Sequence, residues 1–305
     1  MLSVIIPVFN ENRNVEIASR VISEILENEK IDYEILFVDD GSLDSSWECI
    51  QNVASENEKI KGISFSKNFG KEAAIFAGLG QATGECAAVI DCDLQHPPEK
   101  IVEMYRLWEQ GYEVVEGIKK DRGREIYTHK IASKLFYSLM SQACGRNMEN
   151  TSDYKLLDRK VIDALLEIKE RESFFRALSS WVGFKTVNIY YEVQDRSVGE
   201  TKWSTKKLVK YAITNITSFT TIPLQIITFL GGITVLIGIV LSILTIWRYL
   251  NHDSLGGFST VIIMQCYSQG VIMIGLGIVG YYLARIFDEV RNRPKYIIAK
   301  KTWKS

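Results

Sequence analysis

Cysteine and histidine are scarce in this chain, and their scarcity excludes several kinds of site. The sequence has five cysteines and three histidines in 305 residues. The cysteines are odd in number and show no Cys-x-x-Cys spacing, so we expect reduced packing residues and no disulfide framework. The histidines, His96, His129 and His252, are too scattered along the chain to support a zinc site.

Acidic residues are also scarce in the C-terminal third of the chain. The formal net charge is −1, but residues 202–305 carry 12 Lys and Arg against 3 Asp and Glu, whereas residues 1–201 carry 24 against 34. Long uncharged segments separate the basic residues of the C-terminal third, which argues against a nucleic-acid partner. We expect no secretory leader, because the apolar run that opens the chain lacks a basic flank and a small-residue cleavage site.

Charged side chains are missing altogether between Lys210 and Arg248. Within that stretch, residues 222–247 are long enough to cross a hydrocarbon core of ~30 Å at ~1.5 Å per residue, and residues 260–284 form a second such segment. A buried core helix could explain one segment, but two with a short polar loop between them predict transmembrane helices. Glycines in both segments would let the helices approach closely and would allow a homo-oligomer.

Basic residues flank this pair of segments on both sides, while the loop between them has only Arg248. The positive-inside rule therefore predicts that both termini lie in the cytoplasm. The sequence predicts a cytosolic domain at residues 1–203, an interfacial amphipathic segment at 204–221, a transmembrane hairpin within 222–287 and a basic cytosolic tail at 288–305.

Alternating strands and helices predict an α/β fold for the cytosolic domain. Residues 2–9 and 33–38 are apolar and rich in β-branched side chains, as buried parallel strands are, and a helix is predicted between them at 15–29. A third strand is expected at 62–65, followed by a helix at 72–82. This pattern predicts a doubly wound sheet, whose ligands bind beyond the carboxyl ends of the strands.

Two aspartates, Asp91 and Asp93, follow an apolar, strand-like run that begins at Ala87. In an extended segment residues i and i+2 point to the same side, so both carboxylates can converge on one divalent cation. Mg²⁺ or Mn²⁺ keeps positions open for substrate phosphates, and the pattern therefore predicts a clamp for a nucleotide and its metal. Asp-x-Asp also occurs in solvated turns, and the motif alone leaves both interpretations open.

Four segments, in this order, resemble the family-2 glycosyltransferases: SVIIPVFNE, VDDGS, SKNFGKEAAIFAGL and DCDLQHPPE. Further along, TSDYKLLDR at 151–159 and RSVGETKW at 196–203 are similar to the polyprenyl-phosphate sugar transferase branch, which includes dolichyl-phosphate mannose synthases and bactoprenol glucosyltransferases. The resemblance implies an A-type, Rossmann-like domain that binds a nucleotide-diphospho-sugar.

The resemblance also implies the residues of the site. Asp91 and Asp93 would hold Mg²⁺ or Mn²⁺ with the diphosphate, and Asp40 would contact the base or ribose. The residues expected to bind the nucleotide sugar are Pro7, Asn10, Glu11, Asp39, Asp40, Asn68, Lys71, Asp91 and Gln95. Those expected to carry catalysis are Asp93, Asp153, Arg196 and Lys202.

Several of these residues have a second interpretation. Lys67 and Lys71 are equally typical of a solvated strand-to-helix turn, and Gln95 opens a proline-rich helix entry. Asp153 faces the reacting centre by resemblance, but it could instead position an arginine or cap a helix predicted at 158–169. A phosphate acceptor has a second pKa near ~6 and is already largely ionised at neutral pH, so the reaction needs no strong base.

An acceptor-phosphate site is predicted beside the first apolar segment. The pattern Arg-x-x-Gly-x-Thr-Lys places a guanidinium fork and a lysine point charge on a flexible loop, as phosphate recognition requires. Arg122 and Arg124 lie in a charged loop that is either solvated or, by resemblance, close to the acceptor. The expected acceptor residues are Arg122, Arg124, Arg196, Gly199, Thr201 and Lys202.

Together these features predict a multi-pass enzyme of the bacterial cell membrane that transfers a sugar, with inversion, from a nucleotide diphosphate to a polyprenyl phosphate such as undecaprenyl phosphate. UDP-glucose is the first expectation for the donor, with UDP-N-acetylglucosamine, UDP-galactose and GDP-mannose as alternatives. A processive polysaccharide synthase is disfavoured because the chain lacks a Gln-x-x-Arg-Trp element. The non-enzymatic alternative is a membrane-tethered nucleotide-sugar-binding protein.

Overall fold

The computed structural model of the chain describes residues 1–119, 151–168, 170, 174–192, 222–251 and 257–303. The chain divides into two compact units, one formed by Met1–Leu208 with Pro294–Ser305 and the other by Val209–Arg293. An eight-stranded sheet organises the first unit, and two long helices make up the described part of the second.

Strands and helices alternate through most of the first unit. Its strands are β1 (Leu2–Val8), β2 (Tyr33–Asp39), β3 (Ile60–Phe65), β4 (Cys86–Val89), β5 (Val114–Lys119), β6 (Thr151–Asp158), β7 (Thr186–Tyr191) and β8 (Ile298–Lys301). Its helices are α1 (Asn12–Asn28), α2 (Ser46–Glu56), α3 (Lys71–Gln81), α4 (Lys100–Glu109), α5 (Arg159–Glu167) and α6 (Phe175–Trp181). The strands and helices predicted up to residue 82 are present, with ends shifted by a few residues.

The sheet is mixed, and its four central strands run parallel as the doubly wound pattern predicts. Its order is β7-β5-β6-β4-β1-β2-β3-β8, and β4, β1, β2 and β3 run parallel to one another. Strand β6 lies antiparallel between β4 and β5, and β8 closes the far edge antiparallel to β3. The parallel strands place their carboxyl ends side by side at the centre of one sheet edge.

Burial on both faces of the sheet explains the apolar runs of β1 and β2. The side chains of Leu2, Val4 and Ile6 are fully buried, and α1 packs residues such as Val15 and Ile22 onto the same core. Each fully buried aliphatic side chain of this size contributes roughly 1.5–3 kcal/mol to folding, so this core holds the strand ends in fixed positions.

The second unit consists of α7 (Ile222–Leu250) and α8 (Phe258–Val290). Within the part of the chain that the structure describes, one helical segment, Tyr267–Val290, is long and apolar enough to cross a membrane, and α7 has a shorter apolar stretch, Phe229–Leu241. Both predicted spans are helical, but α8 continues six residues past residue 284, and Arg248, expected in a loop, belongs to α7.

The two helices of this unit run antiparallel in contact with each other. A methyl group placed on Gly275 would come 3.1 Å from Ile227, and one on Gly238 would come 3.6 Å from Met264. These two glycines allow close approach as predicted. The other glycines of the helices, which were predicted to do the same, meet no described atom within 4 Å.

Candidate active site

Two loops at the carboxyl ends of β1 and β2 are joined by hydrogen bonds. The Asn10 side chain accepts a hydrogen bond from the Leu43 backbone N–H at 2.8 Å, and the Glu11 backbone N–H donates to the Ser46 hydroxyl at 2.9 Å. Pro7 is partly buried in β1. Asn10 and Glu11, two of the predicted donor-site residues, therefore tie the loop after β1 to the loop after β2.

A third loop, residues 66–70, crosses directly over Gly41. Gly41 has a φ of 66°, and a Cβ there would lie 2.5 Å from the Lys67 carbonyl carbon, so only glycine fits both the backbone angle and the approach. Asn68 is exposed on this loop, and Lys67 lies 5.1 Å from the centre of the Phe69 ring.

Asp39 and Asp40 are buried and hold these loops in place. Asp39 accepts hydrogen bonds from the Ser42 N–H at 3.0 Å and the Ser64 hydroxyl at 2.7 Å. Asp40 accepts from the backbone N–H groups of Phe69 and Gly70 at 2.6 and 2.9 Å. Burial outweighs these bonds and raises the pKa of Asp40 to about 6. Both carboxylates bond to the protein itself, and their expected contact with the nucleotide stays a prediction.

Asp91 and Asp93 lie on a turn, since β4 already ends at Val89. The Leu94 N–H donates to the Asp91 carbonyl at 3.3 Å, and Leu94 has a φ of 52°. The expected extended alternation therefore does not continue to Gln95, whose backbone N–H donates to the Asp93 carboxylate at 3.2 Å. A left-handed leucine costs about 1–2 kcal/mol, and such backbone strain is concentrated at functional sites.

Lys71 bridges two carboxylates at the first turn of α3. Its ammonium nitrogen is 2.6 Å from Asp91 Oδ1 and 2.8 Å from Asp153 Oδ2. Desolvation opposes the charge, but the carboxylates of Asp153 and Asp91 outweigh it and raise the pKa of Lys71. In turn, Lys71 and then His96 overcome desolvation and hold the pKa of Asp91 below its usual range. Lys71 is thus part of the site, although 39% of its side chain is exposed.

The antiparallel strand β6 explains why Asp153 reaches this site. Val89 pairs with Lys155, so Asp153, two residues earlier on β6, lies just beyond the end of β4 and beside Asp91. Asp153 is buried and accepts two hydrogen bonds from Arg176, at 2.7 Å from Nε and 3.0 Å from Nη2. Against desolvation, Arg176 and Lys71 hold the pKa of Asp153 well below its ordinary value.

This geometry bears on two of the three alternatives that the sequence left open for Asp153, while its catalytic role stays a prediction. The residue holds an arginine, and the helix that follows β6 is capped by Asp158, whose side chain accepts a hydrogen bond from the Lys160 N–H at 2.9 Å. Arg176 itself was not predicted as a site residue. The available signal was a guanidinium on a short apolar segment, FFRAL, where a charged group needs a partner.

Two further residues at the site were also missed. The Glu72 carboxylate accepts a hydrogen bond from the Phe175 N–H at 2.9 Å, and burial, with the negative charge of Asp153, raises the pKa of Glu72 to about 7. His96 is buried and stacks on Tyr154 at 5.1 Å, with Nε2 3.5 Å from Asp91 Oδ2. In the sequence, His96 was considered as one of three scattered histidines that support no zinc site.

The acidic pair suits a hard divalent cation that arrives with its substrate. Asp91 and Asp93 are partly exposed and offer carboxylate oxygens, the ligands that Mg²⁺ and Mn²⁺ prefer. Within the described ranges no three His, Cys, Asp or Glu side chains converge on a preformed metal site. One or two protein carboxylates with substrate phosphates is a common Mg²⁺ arrangement, so the residues fit.

The predicted acceptor-phosphate residues lie outside the described residues. They are Arg122, Arg124, Arg196, Gly199, Thr201 and Lys202. The predicted interfacial segment at 204–221 lies outside them as well.

Comparison with known proteins places this site in a family. Residues 3–166 match the family described as Glycosyl transferase family 2. The "Uncharacterized glycosyltransferase YkcC" of Bacillus subtilis is 37% identical over 300 residues, covering 98% of this chain and 93% of that protein. The "Prophage bactoprenol glucosyl transferase homolog" of Escherichia coli is 34% identical over 304 residues, covering 98% of each chain.

A further relative is similar over nearly its full length, and one solved structure is a more remote match. The "Bactoprenol glucosyl transferase" of Shigella phage SfII is 34% identical, covering 98% of this chain and 97% of that protein. A crystal structure of glucosyl-3-phosphoglycerate synthase from Mycobacterium tuberculosis with Mn²⁺ and UDP-glucose is 19% identical, covers 71% of this chain and 76% of that one, and has a TM-score of 0.49. Since the family match spans more than half of the chain and its relatives span nearly all of it, the protein is an enzyme of glycosyl transferase family 2.

Proposed function

We propose that the enzyme transfers glucose from UDP-glucose to a polyprenyl phosphate such as undecaprenyl phosphate, with inversion at the anomeric carbon. The observation that carries the proposal is the charge cluster at the carboxyl end of β4, where Lys71 joins Asp91 to Asp153 next to Asp93. The names of the bactoprenol glucosyl transferases from Escherichia coli and Shigella phage SfII support the sugar and the lipid. UDP-N-acetylglucosamine, UDP-galactose and GDP-mannose are the alternative donors.

Asp91 and Asp93 are the proposed holders of Mg²⁺ or Mn²⁺ with the donor diphosphate. When bound, such an ion supplies Lewis-acid stabilisation of the leaving phosphoryl oxygens. Lys71, anchored on Asp91 at 2.6 Å, adds a fixed positive charge at the same place. Nucleotide contacts are proposed for Pro7, Asn10, Glu11, Asn68 and Gln95, with Asp39 and Asp40 holding the loops around them.

Asp153 is proposed to organise cations and not to act as a general base. Its carboxylate is ionised between Lys71 and Arg176, and a carboxylate whose pKa is held low is a weak proton acceptor. The acceptor phosphate is already largely ionised at neutral pH and can attack without losing a proton. The catalytic contribution of the site is therefore positioning and electrostatic stabilisation.

The lipid phosphate is proposed to bind the loop containing Arg196, Gly199, Thr201 and Lys202, with Arg122 and Arg124 close to it. The proposal rests on the fork and point charge that this sequence offers to a phosphate. It also rests on the position of the loop in the sequence, shortly before the apolar helices.

We further propose that α7 and α8 form a transmembrane hairpin in the bacterial cell membrane, with both termini in the cytoplasm. The apolar segment Tyr267–Val290 and the exposed apolar side chains of both helices support membrane insertion. Self-association of these helices is part of the same proposal.

The metal clamp is tested with Asp93→Asn. Because the amide is uncharged and binds divalent cations weakly, transfer of labelled sugar to undecaprenyl phosphate should fall by at least about 100-fold, with an unchanged unfolding temperature. Asp163→Asn, at an exposed position of α5, is the matched control and should keep wild-type activity. Near-normal turnover of Asp93→Asn would overturn the clamp.

A further inference from the structure

The C-terminal segment at residues 295–302, here called the C-terminal strap, belongs to the sheet of the first unit. Sequence analysis placed these residues in a basic tail at 288–305, but the tail begins inside α8 and continues into β8. The Ser66 N–H donates to the Ile297 carbonyl at 3.0 Å, and the Thr302 N–H donates to the Gly62 carbonyl at 3.0 Å. The strap therefore covers the edge of β3 up to the start of the loop at 66–70.

An aromatic contact joins the strap to that loop. The Tyr296 ring stacks on Phe65, with centroids 5.2 Å apart and planes 11° apart. Phe65 in turn meets the edge of Phe69, with centroids 5.7 Å apart. Such pairs contribute energy beyond the area they bury and fix the relative position of their rings.

The loop that receives this contact supports the charge cluster. Its Phe69 and Gly70 N–H groups donate to Asp40, and Lys71 follows immediately at the start of α3. The position of the Lys71 ammonium between Asp91 and Asp153 thus depends on where the loop ends.

Lys295 makes a second connection to the elements of the site. Its ammonium donates to the Ile168 carbonyl at 3.0 Å and lies 4.9 Å from the centre of the Phe76 ring on α3. Phe76 packs against Phe175, the residue before Arg176, with ring centroids 6.3 Å apart. The strap therefore touches α3, which carries Lys71, and is one ring removed from α6, which carries Arg176.

We propose that Tyr296 is a positioning residue of the donor site, which holds the loop at 66–70 and, through it, Asp40 and Lys71. The assignment of this site to the donor rests on the proposed function. A strap that only protected the edge of β3 would need backbone pairing alone. The stacked ring at its loop end and the partnered Lys295 are additional contacts, and they are directed at the elements of the site.

The test is hydrogen exchange of the full chain in detergent, which needs no enzymatic turnover. Tyr296→Ala should speed exchange of the peptide covering residues 66–70 by about three- to tenfold, the range expected for the loss of one aromatic pair, with β1 unchanged. Tyr296→Phe keeps the stacked ring and should exchange at the wild-type rate. Lys300→Ala removes a strap side chain that lies 5.9 Å from the Trp47 ring and is the matched control.

A kinetic measurement completes the test. Tyr296→Ala should raise the KM for the nucleotide sugar by a similar factor with little change in kcat, and Tyr296→Leu serves if the alanine variant does not fold. Faster exchange at 66–70 without any transfer activity would support the strap and contradict the proposed function. Unchanged exchange at residues 66–70 would overturn the proposal, and so would equal changes of exchange in Tyr296→Ala and Lys300→Ala. The strap would then only protect the edge of β3.

Discussion

At the scale of single residues, the site is built from charges that neutralise one another. Asp153 has two cationic partners, Lys71 and Arg176, and Asp91 shares one of them. Removing one partner of a buried pair leaves a charge without full compensation, which is more costly than the loss of a surface ion pair. We therefore expect the cluster to contribute to stability, and to activity if the proposed function holds.

Arg176 provides the first residue-scale prediction. Arg176→Ala should lower the free energy of unfolding by about 3 kcal/mol, because the buried Asp153 carboxylate loses its bidentate partner. The free energy of unfolding of Arg176→Lys should lie between those of Arg176→Ala and the wild type, since an ammonium cannot form both hydrogen bonds. Urea unfolding of the purified variants measures this.

Arg106→Ala is the control for this prediction. Arg106 pairs with Glu109 on the exposed face of α4 and should contribute little to stability. Equal losses of unfolding free energy in Arg106→Ala and Arg176→Ala would show that the buried Asp153–Arg176 pair stabilises the fold no more than a surface pair does.

Asp40 provides a pH-dependent prediction. Its pKa is raised from 3.8 to about 6 by burial, so the folded protein binds this proton more tightly than the unfolded chain does. The stabilising contribution of the protonated group is full below pH 3.8 and is lost as the pH rises through about 6. Asp40→Asn carries no charge at either pH. Between pH 5 and pH 7.5, its free energy of unfolding should therefore rise by about 1–2 kcal/mol relative to that of the wild type. Chemical unfolding at both pH values measures the gain, and a pH-independent difference between the two proteins would refute it.

Some site residues could be found from the sequence and others could not, for a physical reason. Asp91, Asp93 and Lys71 follow strands or begin helices that have local apolar signatures. Arg176 owes its place to Asp153, which reaches the site through the antiparallel pairing of β6 with β4. The partner of Glu72, the Phe175 N–H, lies 103 residues away along the chain. Such long-range pairing leaves no pattern in the local sequence.

At the scale of elements, the same distinction holds. Strands β1 and β2 were predicted because each is a largely apolar, buried run, and α1, α3 and β3 were predicted with them, whereas α2 was not. Strands β5, β6, β7 and β8 were not predicted, because each mixes polar and apolar side chains. The turn at Asp91 was missed because leucine at position 94 gives no signal of a left-handed backbone.

The acceptor loop provides the element-scale prediction. A charge-assisted contact to a phosphate contributes about 1.5–3 kcal/mol, so Arg196→Ala and Lys202→Ala should each lower kcat/KM for the lipid by at least about tenfold. A general attraction to anionic lipid gives only ~1 kcal/mol per basic residue, and Lys206→Ala and Lys207→Ala are the controls for it. Acceptor kinetics in detergent without anionic lipid compare the four variants. Equal, small decreases of kcat/KM in all four variants would contradict a specific phosphate site.

At the scale of the whole molecule, the chain joins a family-2 catalytic domain to two apolar helices and then returns to the domain through β8. The charge asymmetry of the sequence follows this division, with a net acidic part at residues 1–201 and a net basic part at residues 202–305. Three of those basic residues have partners in the first unit, namely Lys295, Lys300 and Lys301. They therefore have a structural role besides the one that the positive-inside rule predicts for them.

The identity of the sugar is the property that neither the strands nor the charges specify. The donor-site loops provide backbone and carboxylate groups that any nucleotide sugar could use.

The most direct measurement incubates the purified full chain with undecaprenyl phosphate and a panel of nucleotide sugars, with Mg²⁺ or Mn²⁺ and with a chelator, and identifies the lipid product by mass spectrometry. The account predicts a hexosyl undecaprenyl phosphate from UDP-glucose that forms only with the divalent ion. Absence of a glycolipid with every donor, or equal product in the chelator, would contradict it.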